Sequence, residues 1–308
     1  MWNGRRYHSL DSYLKESFGE KLYKLALDGG MTCPNRDNTV GQGGCIFCSG
    51  EGSGDFAAKY CGDINAQLEA AKTSVAAKFD GERYIAYFQS FTNTYAPPER
   101  LRELFVPVIM RDDIAVLDIA TRPDCLPPEV LSLISELSAV KPVWVELGLQ
   151  SADDLTAKLI NRCYPTSVYD EAVKNLHDAG AQVITHMIIG LPGETEQDML
   201  STARHIAQCG SDGIKLQLMH ILEGTVLAQM FRRGEFRALE EDEYISIVAQ
   251  IISILPPEMV IHRLTGDGDR EKLIAPRWSL DKRRVMNKIN HELKKHTIIQ
   301  GCNNSLPG

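Results

Sequence analysis

The chain has no run of about 18 apolar residues, so no segment is expected to cross a membrane as a helix. Its start, Met1-Trp2-Asn3-Gly4-Arg5-Arg6, is not followed by the apolar stretch of an export signal, and a cytoplasmic location is expected. Cysteine is too sparse for a disulfide scaffold: there are eight in 308 residues, and cysteines at metal spacing in an unexported chain more often bind metal or catalyse. An excess of positive charge is also missing. The net charge of −8 argues against sequence-independent nucleic-acid binding over the whole surface, but not against a local basic face. Low-complexity stretches are absent. What remains, 44% hydrophobic and 24% charged, is ordinary for a soluble globular protein, and 308 residues suit one large domain or two small ones around a sizeable core.

Apolar runs alternate with helical patterns along most of the chain. Strands are expected at Leu22 to Leu27, Tyr84 to Phe88, Ile114 to Ala120, Val143 to Leu149, Gln182 to Ile189 and Gly213 to Leu218. Between them lie a helix over Asp63 to Lys78 and helices opened by Pro97-Pro98-Glu99 and Pro127-Pro128-Glu129. Further helix starts are read from the capping pairs Ser151/Asp154, Ser167/Asp170 and Thr195/Asp198. This rhythm predicts consecutive βα units on a parallel sheet. After Leu218 it changes: an amphipathic helix over Glu240 to Leu255 is stopped by Pro256-Pro257, and Met259 to Leu264 reads as a last strand. The most basic stretch, Arg277 to Lys295, follows.

Three cysteines stand out, Cys33, Cys45 and Cys48, spaced C-x11-C-x2-C around the glycine-rich loop of Gly41, Gly43 and Gly44. Thiolates suit zinc or an iron–sulfur cluster. With Cys61 as a fourth ligand, a structural zinc site is the alternative reading of the spacing. The loop follows the first strand directly, and in parallel βα folds ligands bind beyond the C-terminal strand ends. Polar groups gather at those ends: Gln89-Ser90, Thr121-Arg122, Gln150-Ser151, Gly190 to Glu194 and Lys215 to His220.

With these segments in place, the chain resembles the radical S-adenosylmethionine (radical SAM) enzymes, and most closely the YtqA/YhcC-type group related to the Elongator catalytic subunit. The segments that carry the resemblance are Leu27 to Asp37, Gly44-Cys45-Ile46-Phe47-Cys48-Ser49, Gly52 to Phe56, Thr121 to Asp124, Gly148 to Ser151 and Arg263 to Gly268. The resemblance implies an α/β fold, a partial (β/α)6 TIM-like barrel with N- and C-terminal extensions: residues 1–20, a core over 21–225, and 226–308. It implies that Cys33, Cys45 and Cys48 hold a [4Fe-4S] cluster whose open iron is chelated by S-adenosylmethionine. Reductive cleavage of that sulfonium then yields a 5′-deoxyadenosyl radical that abstracts hydrogen.

It further implies roles for individual residues. Phe47 occupies the aromatic slot where adenine packs. Gln89 and Ser90 lie where a Gly-Gly-Glu motif usually contacts the SAM amine, although that motif is absent. Gln150 and Arg162 match polar SAM contacts, and His186 stands where relatives place an Asp near the ribose. Relatives often carry Asn-Arg-Gly-His or Asn-Arg-Ala-His where this chain has Asn161-Arg162-Cys163-Tyr164, so the His position finds no counterpart. Lys215 and His220 are the expected catalytic groups on the substrate side, with Gln217, His262, Arg263 and Asp267 nearby. The substrate expected for this group is tRNA, at the carboxymethylaminomethyl group of the wobble uridine, with a reducing donor such as flavodoxin or ferredoxin and phosphate contacts from the Arg277 to Lys295 tail. The same chemistry on a small molecule or peptide is one alternative. A zinc-stabilised nucleic-acid-binding module is another. The remaining cysteines, Cys125, Cys163, Cys209 and Cys302, are read as small hydrophobes or incidental thiols.

Overall fold

A computed structural model describes residues 1–50, 52, 57, 60–266 and 268–304. Seven strands form one parallel sheet in sequential order: β1 Tyr23–Leu27, β2 Tyr84–Phe88, β3 Ile114–Thr121, β4 Val143–Gln150, β5 Gln182–Ile189, β6 Gly213–Leu218 and β8 Val260–Arg263. The six expected strands are all present. The last strand expected at Met259 to Leu264 is present too, as β8; it pairs with β6 and adds a seventh strand to the expected six of the partial barrel. A short β7, Ile221–Leu222, pairs antiparallel with β9, Leu273–Ala275.

The helices α2 Ile64–Val75, α3 Pro98–Ile109, α4 Pro128–Ser138, α6 Thr166–Asp178, α7 Glu196–Gln208 and α9 Glu241–Ile254 pack on the outer face of the sheet, where the main core lies. The strands are buried on both faces, which is why they read as near-continuous apolar runs. The Thr195/Asp198 pair forms the expected capping box. Two other caps differ from expectation. Asp153, not Ser151, caps α5 (Asp154–Leu159), accepting from Thr156 N. The α6 helix starts at Thr166, whose amide donates to Asp154 Oδ1 at 2.8 Å, so Ser167 and Asp170 lie inside it.

Two helices were not legible in the strand–helix rhythm: α1, Leu10–Phe18, and the short α8, Val226–Arg232. The α1 helix is capped by Ser9 and ended by left-handed Gly19. Its Leu10, Tyr13, Leu14 and Phe18 pack on Leu22, Ile85, Val116, Trp144 and Ile184, the inward-facing residues at the N-terminal end of the strands. Tyr13 and Trp144 both donate to Gln182 Oε1, at 3.2 and 2.7 Å. This helix therefore closes the barrel from below. The basic tail is also a helix, α10 (Lys282–Lys295), which buries Val285, Ile289 and Leu293. Among the described residues no helix is long and apolar enough to cross a membrane.

Candidate active site

The barrel interior carries charge where a core would normally be apolar. Parallel pairing sets Tyr87 opposite Asp118, His186 opposite Lys215 and Lys215 opposite Arg263. Paired residues project from the same face of a sheet, so these side chains share the lumen. Lys24 donates to Asp118 and to Glu146, the latter at 2.8 Å. Lys215 donates to Glu146 and, at 3.2 Å, to the Tyr87 hydroxyl. The His186 Nε2–H donates to Glu146 at 2.6 Å, while its Nδ1 accepts from the Gln217 amide at 3.1 Å, which fixes the tautomer.

Burial would raise the Glu146 carboxyl, but Lys215, Lys24 and His186 outweigh it and hold Glu146 well below its usual range. Asp118 is pushed the other way, up to about 7, by burial and the neighbouring Glu146 charge. Burial brings the Lys215 ammonium down to about 7, and it also lowers His186. An amine near neutrality is what a proton-transferring group needs.

Above this layer lies an apolar ring of Ile46, Ile160, Ile188, Leu191, Met219 and Leu227, with half-buried Phe47 packed against it. The cysteine loop rests on this ring: Ile46 N donates to Ile160 O, and Leu227 N to Ile46 O. Cys33, Cys45 and Cys48 are half-buried and form no disulfide. Asn35, fully buried, donates through Nδ2 to Asn161 O at 2.5 Å and lies 3.6 Å from Cys45 Sγ. Gly41 is dictated by this approach, because a Cβ there would meet Asn35 Oδ1 at 2.0 Å and Cys163 Sγ at 2.8 Å. The Cys45 thiol is held well above its usual range, first by hydrogen bonding to Cys48, then by burial, with Cys33 adding repulsion. Thiols crowded in this way resist ionising together, and a metal centre relieves that by deprotonating them. The donor set therefore fits a thiolate-held cluster. Cys61 instead donates to Asp63 O at the start of α2, an arrangement that gives no support to a fourth zinc ligand.

The remaining candidates divide between the lumen and its rim. Gln150 ends β4 with a left-handed φ of 64°. Its amide occupies the space over Gly148, where a Cβ would lie 2.5 Å from Nε2. Gln89 is half-buried and Ser90 buried at the end of β2. Arg162 does not face the lumen. It is fully buried, and its guanidinium donates to Leu149 O, Ser151 O, Tyr164 O, Thr166 Oγ1 and Asp154 Oδ1, tying the end of β4 to α5 and α6. His220 is separate from the Lys215 network. Its Nε2 lies 3.1 Å from Ser279 Oγ, and its ring packs on Gly266 and Gly268. Asp267 and the Ser53 to Phe56 part of the glycine motif lie outside the described residues.

Two residues missed as candidates, Asp118 and Glu146, emerge from the geometry, and Arg122, already read among the polar groups at the strand ends, gains a role. Arg122, paired with Asp124 at 2.7 Å, is the guanidinium whose charge reaches Cys45 and Cys33. Asp118 and Glu146 are the buried carboxylates of the lumen. Each is a lone charge in an apolar strand, and that was the signal available in the sequence. An open groove of about 740 Å³ runs outside the barrel between the cysteine loop and α6, and none of the lumen side chains lines it.

Residues 37–206 match the Radical SAM superfamily and residues 211–295 match the Radical_SAM C-terminal domain. The chain belongs to the radical SAM superfamily: it is an enzyme of that class, with a [4Fe-4S] cluster and S-adenosylmethionine as cofactors. Within it the chain stands with the YtqA/YhcC group. It is 46% identical to YtqA of Bacillus subtilis, over 96% of this chain and 92% of that one, and 35% identical to YhcC of Escherichia coli K12, over 92% and 91%. A tRNA uridine(34) acetyltransferase of Dehalococcoides mccartyi is 30% identical over 49% of this chain and 33% of its own length. The solved structure of an N-terminally truncated Elp3 from Methanocaldococcus infernus superposes with a TM-score of 0.68 at 18% identity, over 91% of this chain and 64% of that one, and so shares the fold.

Proposed function

We propose that this radical SAM enzyme modifies tRNA, processing the carboxymethylaminomethyl group of the wobble uridine. The observation that carries the reading is the likeness of about half the chain to an enzyme named for uridine 34 of tRNA, alongside the shared Elp3 fold. A lumen lined by charged groups supports it, since a zwitterionic arm would need such partners. The exposed cations of α10 support it from outside.

In this reading Cys33, Cys45 and Cys48 hold the cluster. When bound, the cluster and SAM supply a 5′-deoxyadenosyl radical that takes a hydrogen atom from the substrate. Phe47 and the apolar ring pack the adenine and keep water from the chamber. Gln89, Ser90, Gln150 and His186 offer polar groups to SAM. Arg162 acts indirectly, by fixing the strand end that presents Gln150. Lys215 and His220 face the substrate, and Lys215 can hold or release a proton near neutrality. The electron comes from a donor such as flavodoxin or ferredoxin, and the protein works in the cytoplasm.

Nucleoside mass spectrometry on tRNA from cells lacking the gene tests the proposal. Carboxymethylaminomethyluridine should accumulate at the expense of its downstream products. Unchanged wobble nucleosides would refute it.

A further inference from the structure

Arg263 closes the lumen on the side of β8, half-buried and opposite Lys215 in the sheet register. The pairing of β6 with β8 slips at this point: Ile214 faces Ile261 and Lys215 faces Arg263, so His262 is a bulge. Bulges re-aim side chains, and this one turns Arg263 toward the chamber while His262 packs edge-on against Trp144. The Arg263 charge is felt at Tyr87, His186 and Lys215, three residues on three other strands.

Among the described residues the Arg263 guanidinium makes no hydrogen bond and no ion pair. Every other cation of the lumen is matched: Lys24 by Asp118 and Glu146, Lys215 by Glu146. The described lumen thus sets three cations, Lys24, Lys215 and Arg263, against two carboxylates, Asp118 and Glu146, and carries one surplus positive charge. An unmatched guanidinium beside a buried ammonium is costly to the fold. A guanidinium fork is also the side chain best matched to a carboxylate, which it binds through two parallel hydrogen bonds.

We infer that Arg263 is the lumen's carboxylate-binding group, and that the carboxylate is the substrate's and not that of SAM. The location favours the substrate. Arg263 lies on the last strand, whereas the cysteine loop leaves β1 at the opposite edge of the sheet. The inference rests on the proposed function only for the identity of the carboxylate, there the terminal group of the carboxymethylaminomethyl arm. Arg263 is a binding and positioning residue: it would hold the far end of the arm so that a C–H bond nearer the base faces the radical.

The test uses cluster-loaded protein, wild type, Arg263→Gln and Arg263→Lys, with saturating SAM. N-methylglycine and acetate serve as small probes and methylamine as the control, read by thermal shift. N-methylglycine and acetate should stabilise the wild type and not Arg263→Gln, and methylamine should stabilise neither. Equal stabilisation of both proteins, or of neither, would overturn the carboxylate site. Without ligand, Arg263→Gln should melt at the same temperature as wild type or higher, because it removes an unmatched charge; a lower melting temperature would mark Arg263 as structural. With tRNA bearing carboxymethylaminomethyluridine, the KM for tRNA should rise at least tenfold in Arg263→Gln and less in Arg263→Lys. A rise confined to the KM for SAM would give the fork to SAM and overturn the substrate assignment. If wild type leaves this tRNA unchanged, the proposed function fails while the probe arm still decides the site.

Discussion

Lys215 on β6 reaches across the barrel to Glu146 on β4 and forms a buried ion pair that shares its carboxylate with His186 and Lys24. One strand, β5, separates the partners, so the pair braces the lumen as well as setting its charge. Breaking such a pair by removing one partner leaves the other buried and uncompensated. Glu146→Gln is therefore expected to destabilise the protein by about 3–5 kcal/mol. Urea unfolding of cluster-free protein checks this, and an unchanged midpoint would show that the pair adds nothing.

The same pair gives a pH signature. Burial lowers Lys215 to about 7, against an ordinary value of 10.5. Between those values the unfolded chain holds a proton that the folded chain does not, so this group makes stability rise with pH, by at most about 1.4 kcal/mol per pH unit. Its stabilisation is complete above 10.5 and lost as pH falls to 7. Unfolding free energies at pH 7 and 10 should therefore differ more in wild type than in Lys215→Met. A variant with the steeper dependence would contradict the assignment.

At the cysteine loop, Cys33→Ala, Cys45→Ala and Cys48→Ala should each abolish anaerobic cluster loading and the production of 5′-deoxyadenosine. Cys302→Ala, an exposed thiol at the chain's end, should leave both intact. Iron and sulfide analysis with electron paramagnetic resonance reads the outcome. Full cluster signal in the Cys48 variant would remove that thiol from the ligand set.

Arg162 is expected to matter through stability. Its planar fork meets backbone carbonyls on both sides of the β4 turn, a geometry that a lysine ammonium cannot reproduce. Arg162→Lys should cost about 3 kcal/mol, in line with the loss of one or two charge-assisted hydrogen bonds. Thermal unfolding measures it, and a melting temperature equal to wild type would refute the structural role.

On α10, Arg284 and Lys288 are occupied by Glu241 and Asp242, whereas Arg283 and Lys294 are exposed. If tRNA lies on this helix, Arg283→Glu and Lys294→Glu should weaken binding and reduce the salt dependence by about one ion per lost contact. Filter binding across a salt series distinguishes this from an unchanged slope, which would place the RNA elsewhere.

The main strands and helices were legible because each strand is a short apolar run bounded by turn residues, and several helices announce themselves with proline or a cap. The α1 helix escaped because its apolar side chains serve the inside of the barrel, although Ser9 and Gly19 marked its ends. The lumen network was only half visible. Asp118 and Glu146 were passed over although each is a single charge within an apolar strand, and their partner Lys24 lies 94 and 122 residues away, a pairing that no local pattern encodes. Arg162 shows the converse: its motif suggested a ligand contact, and only the geometry revealed that its donors are engaged with the backbone.

The α1 helix also bears on traffic. Among the described residues, Tyr13, Leu14 and their neighbours stopper the far end of the chamber, which leaves the opposite, cysteine end for traffic. Molecules that share a single doorway queue: the one seated deepest arrives first and departs last. Where cofactor and substrate share that end, the order of arrivals and departures follows from the architecture.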